Sequence, residues 1–265
     1  MLTAAHCVDL NYMNQRSGAI PQMPWYVAVK EHNFEDKEMG EYHKICKILV
    51  HDKWDMKEFD YDFALLYLRN SIKLDPKARP ACLPIDKYPH YDSLNGEELQ
   101  VSGWGKINHN SLATGLRAVK VKAMSNKDCF DYYNHNITKN ATPKKITESM
   151  LCAADASRRN SDLTKNRDAC QGDSGGKYNS IHSKIGIEMM YVIKIEIDPI
   201  FEIISFFLGP LIYTPKHDAT QNILVGVVSF GRECGDTSKP GVYGRVTSAM
   251  DWIKNNADKR YTCKE

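Results

Sequence analysis

A chain of 265 residues, 42% of them hydrophobic, can bury a full core as one large domain or as two small subdomains. Its 35 basic and 33 acidic residues leave a formal charge of +2, which gives no electrostatic signal for nucleic acid or acidic lipid. The longest apolar region, residues 185–213, contains five charged residues, too many for a membrane span. We therefore expect protein or small-molecule partners, with no nucleic acid and no membrane.

The eight cysteines show no zinc-binding spacing such as C-x-x-C, which favours disulfides and an oxidising compartment. Two glycosylation sequons, at Asn136 and Asn140, agree with a secreted, extracellular glycoprotein. The N-terminal sequence MLTAAHCVDL lacks the basic start and long apolar region of a signal peptide, so we expect the sequence to be incomplete there. The cysteines are Cys7, Cys46, Cys82, Cys129, Cys152, Cys170, Cys234 and Cys263.

Short runs with the composition of β-strands dominate the chain and are separated by clusters of Gly, Asn, Asp and Pro. The run RAVKVKAM, residues 117–124, alternates with the period of two that a half-buried strand shows. Such runs are typical of an antiparallel barrel or sandwich, so the predicted fold class is all-β. In chain order they are WYVAVK, CKILVH, FALLYL, LQVSGWG, LRAVKVKAM, NILVGVVSFG and GVYGRV.

One C-terminal segment, SAMDWIKNNADK, has helical rather than strand periodicity. Ser248 and Asp251 stand at the spacing of a capping box. Met250, Ile253 and Ala257 recur at helical intervals. We predict a terminal helix over residues 247–258.

Three fragments of the sequence carry candidate chemistry. GDSGG, residues 172–176, fits the G-x-S-x-G pattern, in which glycines allow a sharp turn that exposes a serine hydroxyl. LTAAHC contains His6, and YDFALLYL contains Asp62. An imidazole can take the Ser174 proton during attack on a carbonyl, and a buried carboxylate can hold that imidazole in the useful tautomer. The chain order His, Asp, Ser differs from the Ser, Asp, His order of α/β-hydrolases.

With TAAHC, DFALL, VSGWG, DACQGDSGG and SFG…C…KPGVY in this order, the chain resembles a trypsin-like serine protease of the chymotrypsin family. The phrases CLP, VGVVSFG and PGVYGRV, with a terminal DWIK, resemble proteases of the clip-domain type. The resemblance implies two antiparallel β-barrels, with the active site in the cleft between them, and a C-terminal helix. We expect an N-terminal barrel over 1–95 that lacks its first strands, a C-terminal barrel over 96–246, and the helix over 247–258.

The resemblance also assigns the roles of the catalytic residues. Ser174 would be the nucleophile, His6 the general base and Asp62 the residue that orients His6. The backbone N–H groups of Gly172 and Ser174 would form the oxyanion hole, where each donor contributes roughly 3–4 kcal/mol of transition-state stabilisation. The expected activity is that of a serine-type endopeptidase, a hydrolase that needs no cofactor.

Asp168 lies six residues before Ser174, where the resemblance places the floor of the primary specificity pocket. A carboxylate there binds Arg or Lys. Ala169 lacks the hydroxyl that some relatives carry next to this acid, whereas Arg can still fork onto Asp168, so we expect Arg to be preferred over Lys. Ser229 to Gly231 would offer an edge strand to the substrate backbone. The other pocket residues that the resemblance assigns are Gln171, Phe230, Gly231 and Gly241, the two glycines leaving a slot for a long side chain.

The resemblance implies two disulfides, Cys129 with Cys152 and Cys170 with Cys234. Further cysteines resemble ones that pair outside this sequence: Cys7 with an upstream residue, and Cys82 with a propeptide. Cys46 and Cys263 receive no assignment.

Leu99 and Tyr213 occupy positions where many relatives carry a disulfide-bonded pair. Both halves of that pair are absent together, which supports the alignment on both sides of the unusual segment between them.

A group of acidic residues falls near the loop that binds calcium in some relatives. No ligand spacing resembles a defined calcium site, so a solvated acidic loop is favoured and no metal is expected. The expected partners are protein or peptide substrates, protein inhibitors and an activating protease. The acidic residues are Glu31, Glu35, Asp36, Glu38 and Glu41.

Residues 177–209 interrupt the family pattern, and their removal leaves GDSGG-PLIYTPKHDATQNILVGVVSFG, the expected continuation. Gly-Lys-Tyr at the first edge can be encoded by GGT AAG TAT, which contains a splice-donor string. Phe-Phe-Leu-Gly at the second edge can be encoded by TTT TTC TTA GGC, a pyrimidine tract that ends in AG. We therefore interpret the 33-residue block as a retained in-frame intron. A genuine surface insertion is the alternative, because closure entropy grows slowly with loop length.

The literal chain is expected to be inactive for two reasons. Its sequence starts at MLTAAHC, in the middle of a family motif, and we expect it to lack the amino terminus that pairs with Asp173 in activated relatives. A buried carboxylate without its partner costs about 3–5 kcal/mol. The block also begins directly after GDSGG. The alternative to an enzyme is a non-catalytic protease homologue that acts as a binding or regulatory module.

We predict that messenger RNA from the source contains a spliced form lacking the 99 nucleotides of codons 177–209. Amplification across the codons for Gly176 and Pro210 should give a product 99 nucleotides shorter from complementary DNA than from genomic DNA. The interpretation fails if every transcript carries the block and peptides such as Asn179–Lys184 appear in digests of the secreted protein.

Overall fold

Two β-sheets contain most of the strands in the computed structural model, as the predicted all-β class requires. The first sheet is open and the second is a closed barrel. The structure describes residues 1–11, 25–33, 40–76, 78–84, 94–104, 106–108, 111–135, 137–138, 141–155, 192–195, 206–207, 209–216, 218–231 and 240–257.

The first sheet has the strand order β1-β4-β3-β2-β10-β11. Its neighbours are antiparallel, and β3 forms a long ladder with both β2 and β4. A short 3₁₀ turn, Ala5–Cys7, follows β1 directly and carries His6. The strands are β1 (Leu2–Thr3), β2 (Trp25–Val29), β3 (Glu41–Val50), β4 (Ala64–Leu68), β10 (Val192–Ile195) and β11 (Phe206–Phe207).

The second sheet closes on itself in the order β12-β13-β14-β9-β8-β5. The predicted alternation of β8 is confirmed: Val119, Val121 and Ala123 are buried, while Lys120 and Lys122 are exposed. A two-stranded sheet of β6 and β7 stands apart from the barrel. The strands are β5 (Glu98–Gly103), β6 (Lys106–Asn108), β7 (Ser111–Leu112), β8 (Arg117–Met124), β9 (Met150–Asp155), β12 (Pro210–Tyr213), β13 (Ile223–Phe230) and β14 (Gly241–Arg245).

The barrel closes where β12 joins β5. In this ladder Tyr213 lies directly opposite Leu99. These are the two positions at which the resemblance expects a cystine in relatives, and their pairing agrees with the alignment of the chain on both sides of residues 177–209.

Gly209, the last residue of the block, is packed against β5. A Cβ atom at this position would lie 2.1 Å from the carbonyl oxygen of Ser102, so only glycine fits before Pro210. Joining Gly176 to Pro210 would leave a glycine at the same place in the chain. The barrel therefore requires a glycine before Pro210, and the predicted splice would supply one. The splice itself stays a prediction.

The block also contributes backbone to the first sheet. β10 pairs with β2 in antiparallel register, with Ile193 opposite Val27 and Ile195 opposite Trp25. Nothing in the local sequence predicted this pairing. A translated block thus pairs with β2 on the side opposite to β3.

The C-terminal helix is confirmed, and α2 spans Met250–Ala257 after a 3₁₀ turn at Val246–Ala249. Met250 and Ile253 are buried in the core of the first sheet, although they follow the second barrel in sequence. The predicted capping box is wrong, because the Ser248 hydroxyl donates instead to the carbonyl of Arg245, 2.7 Å away, and the helix begins only at Met250.

A second helix, α1 (Asn126–Asn134), lies between β8 and β9. The Ser125 hydroxyl accepts a hydrogen bond from the backbone N–H of Asp128 and so caps its first turn. The helix buries Cys129, which forms the predicted disulfide with Cys152 on β9. This disulfide is therefore confirmed.

We predict that Ile253→Ala lowers the free energy of unfolding by about 2–5 kcal/mol, because it opens a cavity between α2 and the first sheet. Urea unfolding should show this as a lower midpoint with an unchanged slope. Ile137→Ala is the matched control, since Ile137 is 41% exposed and its loss should change the free energy of unfolding by less than about 0.5 kcal/mol. Equal effects at the two sites would contradict the docking of α2.

Candidate active site

His6 and Asp62 form a part-buried ion pair between the two sheets. The Nδ1 atom of His6 lies 2.7 Å from Oδ2 of Asp62, and the backbone N–H of His6 donates to Oδ1 at 2.9 Å. Asp62 is 1% exposed, so it needs these donors to offset the loss of water. With Nδ1 bound to the carboxylate, Nε2 is the ring nitrogen that would transfer a proton.

The second barrel supplies a third donor to Asp62. The hydroxyl of Ser229, on β13, donates to Oδ2 of Asp62. Gly244, on β14, makes room for Phe63, because a Cβ atom at Gly244 would lie 2.8 Å from the Phe63 ring. Asp62 is thus positioned by contacts from both sheets.

The loop before Asp62 has an unusual backbone. Phe59 and Tyr61 have φ values of 62° and 47°, in the left-handed region that side chains with a Cβ atom rarely adopt. Such conformations persist where surrounding contacts hold them. Here the contacts come from the segment before β9.

Asp60 connects this loop to that segment. Its Oδ1 atom accepts hydrogen bonds from the hydroxyls of Thr147, at 2.6 Å, and of Ser149. The Ser149 hydroxyl in turn accepts the backbone N–H of Tyr61 at 3.1 Å. These bonds fix the loop one residue before Asp62.

The ion pair changes the pKa of His6. Burial alone would lower this pKa, but the charges of Cys7 and Asp62 and the hydrogen bond to Asp62 raise it, and the net pKa lies well above 6.5. Burial also raises the pKa of the Cys7 thiol, so the thiol is neutral at pH 7. Because a neutral thiol carries no charge, we ascribe the raised pKa of His6 to the Asp62 carboxylate.

Aromatic side chains form a wall beside His6. The ring of Phe59 lies 5.6 Å from the imidazole and 5.5 Å from the ring of Phe230. Trp54 meets Phe59 edge to face at 5.6 Å. Phe230 directly follows Ser229, which donates a hydrogen bond to Asp62, so the aromatic wall lies next to the His6–Asp62 pair.

Lys144 covers this wall. Its Nζ atom lies 4.5 Å from the centre of the Phe230 ring and 5.6 Å from that of Phe59, within cation–π range. It also donates to the backbone carbonyl of Glu58 at 3.1 Å. Partial burial lowers the pKa of Lys144, against the opposing charges of Glu58 and Asp55.

Two of the predicted pocket glycines are neighbours. A Cβ atom at Gly231 would lie 4.0 Å from the Cα atom of Gly241, so the two backbones face each other closely. A Cβ atom at Gly241 would lie 3.2 Å from the Tyr243 ring. Side chains at these positions would fill the space between β13 and β14.

The structure thus brings together His6, Asp62, Ser229 and Phe230 in one region. The remaining predicted site residues, with the predicted Cys170–Cys234 disulfide, lie outside the described residues. They are Ser174, Gly172, Asp168, Ala169 and Gln171.

The acidic loop differs in part from the expectation. Glu31 is buried rather than solvated, and its Oε2 atom accepts the backbone N–H of Gly40 at 3.0 Å. Glu41 pairs with Lys30 at 2.9 Å. Within the described part of the chain, no group of three or more His, Cys, Asp or Glu residues could hold a metal ion.

Sequence reasoning missed several residues that position the site. Asp60 and Phe59 could have been suspected because they precede Asp62 in the same loop. Ser149 and Lys144 carry no local signal, since their contacts join segments far apart in sequence.

The family model described as Trypsin matches residues 1–192 and 209–253 of the chain. The gap in the match falls within the block 177–209, and the match resumes at Gly209. Within the described residues, no helix is long and apolar enough to cross a membrane.

Several curated proteins are similar to the chain over nearly its whole length. Trypsin 5G1 of Aedes aegypti is 30% identical over 255 residues, which cover 96% of this chain and 70% of that protein. The clotting factor G beta subunit of Tachypleus tridentatus is 27% identical over 256 residues, 96% of this chain and 66% of that protein. The complement C1s-1 subcomponent of Mus musculus is 27% identical over 260 residues, 96% of this chain but only 30% of that protein.

Together with the two-sheet fold and the His6–Asp62 pair, these matches show that the chain belongs to the trypsin family of serine proteases. It spans about two thirds of the length of the first two relatives and under a third of the complement protein.

We predict that Asp62→Asn lowers the pKa of His6, because the carboxylate that holds the imidazolium proton is removed. A proton NMR titration of the His6 ring measures this directly. Asp75→Asn is the control, since that carboxylate pairs with Lys30 at 2.8 Å and should leave the His6 titration unchanged.

The raised pKa also gives the sign of the pH dependence. His6 binds its proton more tightly in the folded chain than in the unfolded chain, where its pKa is about 6.5. Protonation of His6 therefore stabilises the fold. This stabilisation is complete below about pH 6.5 and is lost as pH rises through the folded pKa. An equal His6 pKa in the wild type and Asp62→Asn would contradict the assignment.

Proposed function

We propose that the spliced form of the protein, without residues 177–209, is a serine endopeptidase that cleaves after Arg and, less well, after Lys. The observation that carries this proposal is the part-buried His6–Asp62 pair, in which Ser229 supplies a third donor. It supports the roles that the motifs assign to His6 and Asp62, and GDSGG supplies the serine that such a pair needs.

The proposed reaction has two steps. Nε2 of His6 takes the hydroxyl proton of Ser174 as its oxygen attacks the substrate carbonyl, and the N–H groups of Gly172 and Ser174 stabilise the oxyanion. The proton then passes to the leaving amine, and an acyl-enzyme remains. Water, deprotonated by His6, hydrolyses the acyl-enzyme and restores Ser174. Asp62 keeps the imidazole oriented throughout.

The proposed specificity rests on Asp168. A carboxylate at the floor of a pocket is compensated by a cationic side chain, and Arg can form two parallel hydrogen bonds with it. The closeness of Gly231 to Gly241 supports a slot that admits a long side chain. Ala169 and Gln171 would line the same pocket, and the edge of Ser229–Gly231 would pair with the substrate backbone.

A second function, that of a non-catalytic binding or regulatory module, applies to the chain as translated. The block begins three residues after Ser174, at Lys177, and its β10 pairs with β2, so the block is tied to the first sheet. We propose that this arrangement leaves the 265-residue chain without turnover. Secretion, protein substrates, protein inhibitors and an activating protease are part of the same proposal, supported by the clotting and complement relatives.

We expect the 265-residue chain to hydrolyse Arg-amide substrates no faster than its Ser174→Ala variant, because a 33-residue block directly after GDSGG is expected to disturb the turn that aims the nucleophile. The measurement is release of a fluorogenic amine from peptides ending in Arg, Lys or Phe. Turnover that Ser174→Ala abolishes would show that the block is compatible with catalysis.

For the full open reading frame of the spliced transcript, without residues 177–209 and activated by cleavage, we expect kcat/KM to fall in the order Arg, Lys, Phe. Asp168→Ser should remove the preference for Arg while Ser174 still reacts with a fluorophosphonate. Preference of the wild type for Phe would overturn the role of Asp168. Failure of the fluorophosphonate to label Ser174 would favour the non-catalytic module.

A further inference from the structure

The cysteines that are bonded or free in the structure limit which cysteine can be the disulfide partner of Cys46. Among the described cysteines, Cys129 and Cys152 are bonded to each other, and Cys7 and Cys82 carry free thiols. Cys46 is disulfide-bonded. Its partner is therefore one of three cysteines outside the described residues, namely Cys170, Cys234 and Cys263.

Cys46 lies at a β-bulge in β3. Ile45 pairs with Leu68 and Lys47 with Tyr67, so Cys46 is an extra residue opposite the β4 strand. Ile45 and Ile48 both belong to the core of the first sheet. The two residues between them, Cys46 and Lys47, therefore face away from that core.

The end of the terminal helix lies on this same outer face. The hydroxyl of Tyr67 donates to the backbone carbonyl of Asn256 at 2.8 Å, one residue before α2 ends. The Lys47 Nζ atom lies over the Tyr67 ring, 5.2 Å from its centre. Cys46 is the neighbour in sequence of Lys47, which contacts Tyr67. Tyr67 in turn bonds the last turn of α2.

Cys263 can reach Cys46 from this point. It follows Ala257 by six residues, and six extended residues span up to about 20 Å. The backbones of β3 and β4 are about 5 Å apart, and the Tyr67 side chain that reaches Asn256 is about 6–7 Å long. The end of α2 therefore lies closer to Cys46 than the roughly 20 Å that the tail can span.

Cys234 is a poorer partner for Cys46. It follows Gly231 by three residues, which span at most about 11 Å, and Gly231 lies beside Gly241 in the second barrel. Its neighbour Phe230 contacts Tyr133 of α1, with ring centres 6.0 Å apart. Cys170 is the partner that the family resemblance assigns to Cys234.

We propose that Cys46 and Cys263 form a disulfide that fastens the C-terminal tail to the outer face of the first sheet. The two thiols lose two protons and two electrons to an oxidised dithiol of the secretory compartment, which is reduced as the S–S bond forms. The bond closes a loop that contains the whole second barrel and holds α2 against the first sheet. The proposal does not depend on catalytic activity.

Peptide mapping of the oxidised full chain tests the proposal. Because Cys7 is buried and Cys82 is exposed, both free thiols are alkylated in denaturant at acidic pH, where thiols do not exchange with disulfides, and trypsin then releases Ile45–Lys47 and Tyr261–Lys264. We expect these two peptides as one cross-linked species that separates on reduction. The Cys129–Cys152 bond is the internal control. Linkage of Ile45–Lys47 to a peptide carrying Cys170 or Cys234, or its recovery in alkylated form, would overturn the proposal.

A matched pair of variants gives a second readout. Cys263→Ser should expose one additional alkylatable thiol, at Cys46, and should speed hydrogen exchange at the C-terminal end of α2. Cys82→Ser removes one exposed thiol and should leave the cross-linked species intact. An unchanged thiol count in Cys263→Ser contradicts the proposal. If that variant does not accumulate, the wild-type digest decides alone.

Discussion

The buried charge of Asp62 is the constraint on which the site depends. A carboxylate with 1% exposure is stable only if donors replace the water that it loses. His6 brings two donors from the turn after β1, and Ser229 brings a third from the second barrel. The pair that orients the imidazole is therefore complete only when the two sheets are packed together, so folding and assembly of the site are one event.

The loop that carries Asp62 shows how this packing is maintained. Left-handed backbone at Phe59 and Tyr61 costs conformational energy, and the bonds of Asp60 to Thr147 and Ser149 offset it. The Phe63 ring packs where a Cβ atom at Gly244 would lie only 2.8 Å away, and this close approach brings the loop to β14. Elements far along the chain, the segment before β9 and strand β14, thus determine where the carboxylate lies.

The sequence predicted the parts of this arrangement that have local signatures. Strand alternation at 117–124, the terminal helix and the pairing of His6 with Asp62 follow from short motifs, and the structure has them. The bonds of Asp60 and the position of Lys144 join distant segments through side chains of ordinary type, so no spacing marks them. The pairing of β10 with β2 is of the same kind, because backbone hydrogen bonds are available to any sequence that meets a free strand edge.

The facing positions of Leu99 and Tyr213 have a consequence for how such a barrel can change over time. Each residue is the other's cross-strand neighbour at the seam that closes the barrel, and Leu99 is fully enclosed. A cysteine introduced at only one of them would be a thiol without a partner, whereas a cysteine at both would stand at the separation that a cystine spans. A covalent seam at this place therefore needs both replacements, and one replacement alone would leave a buried thiol like that of Cys7.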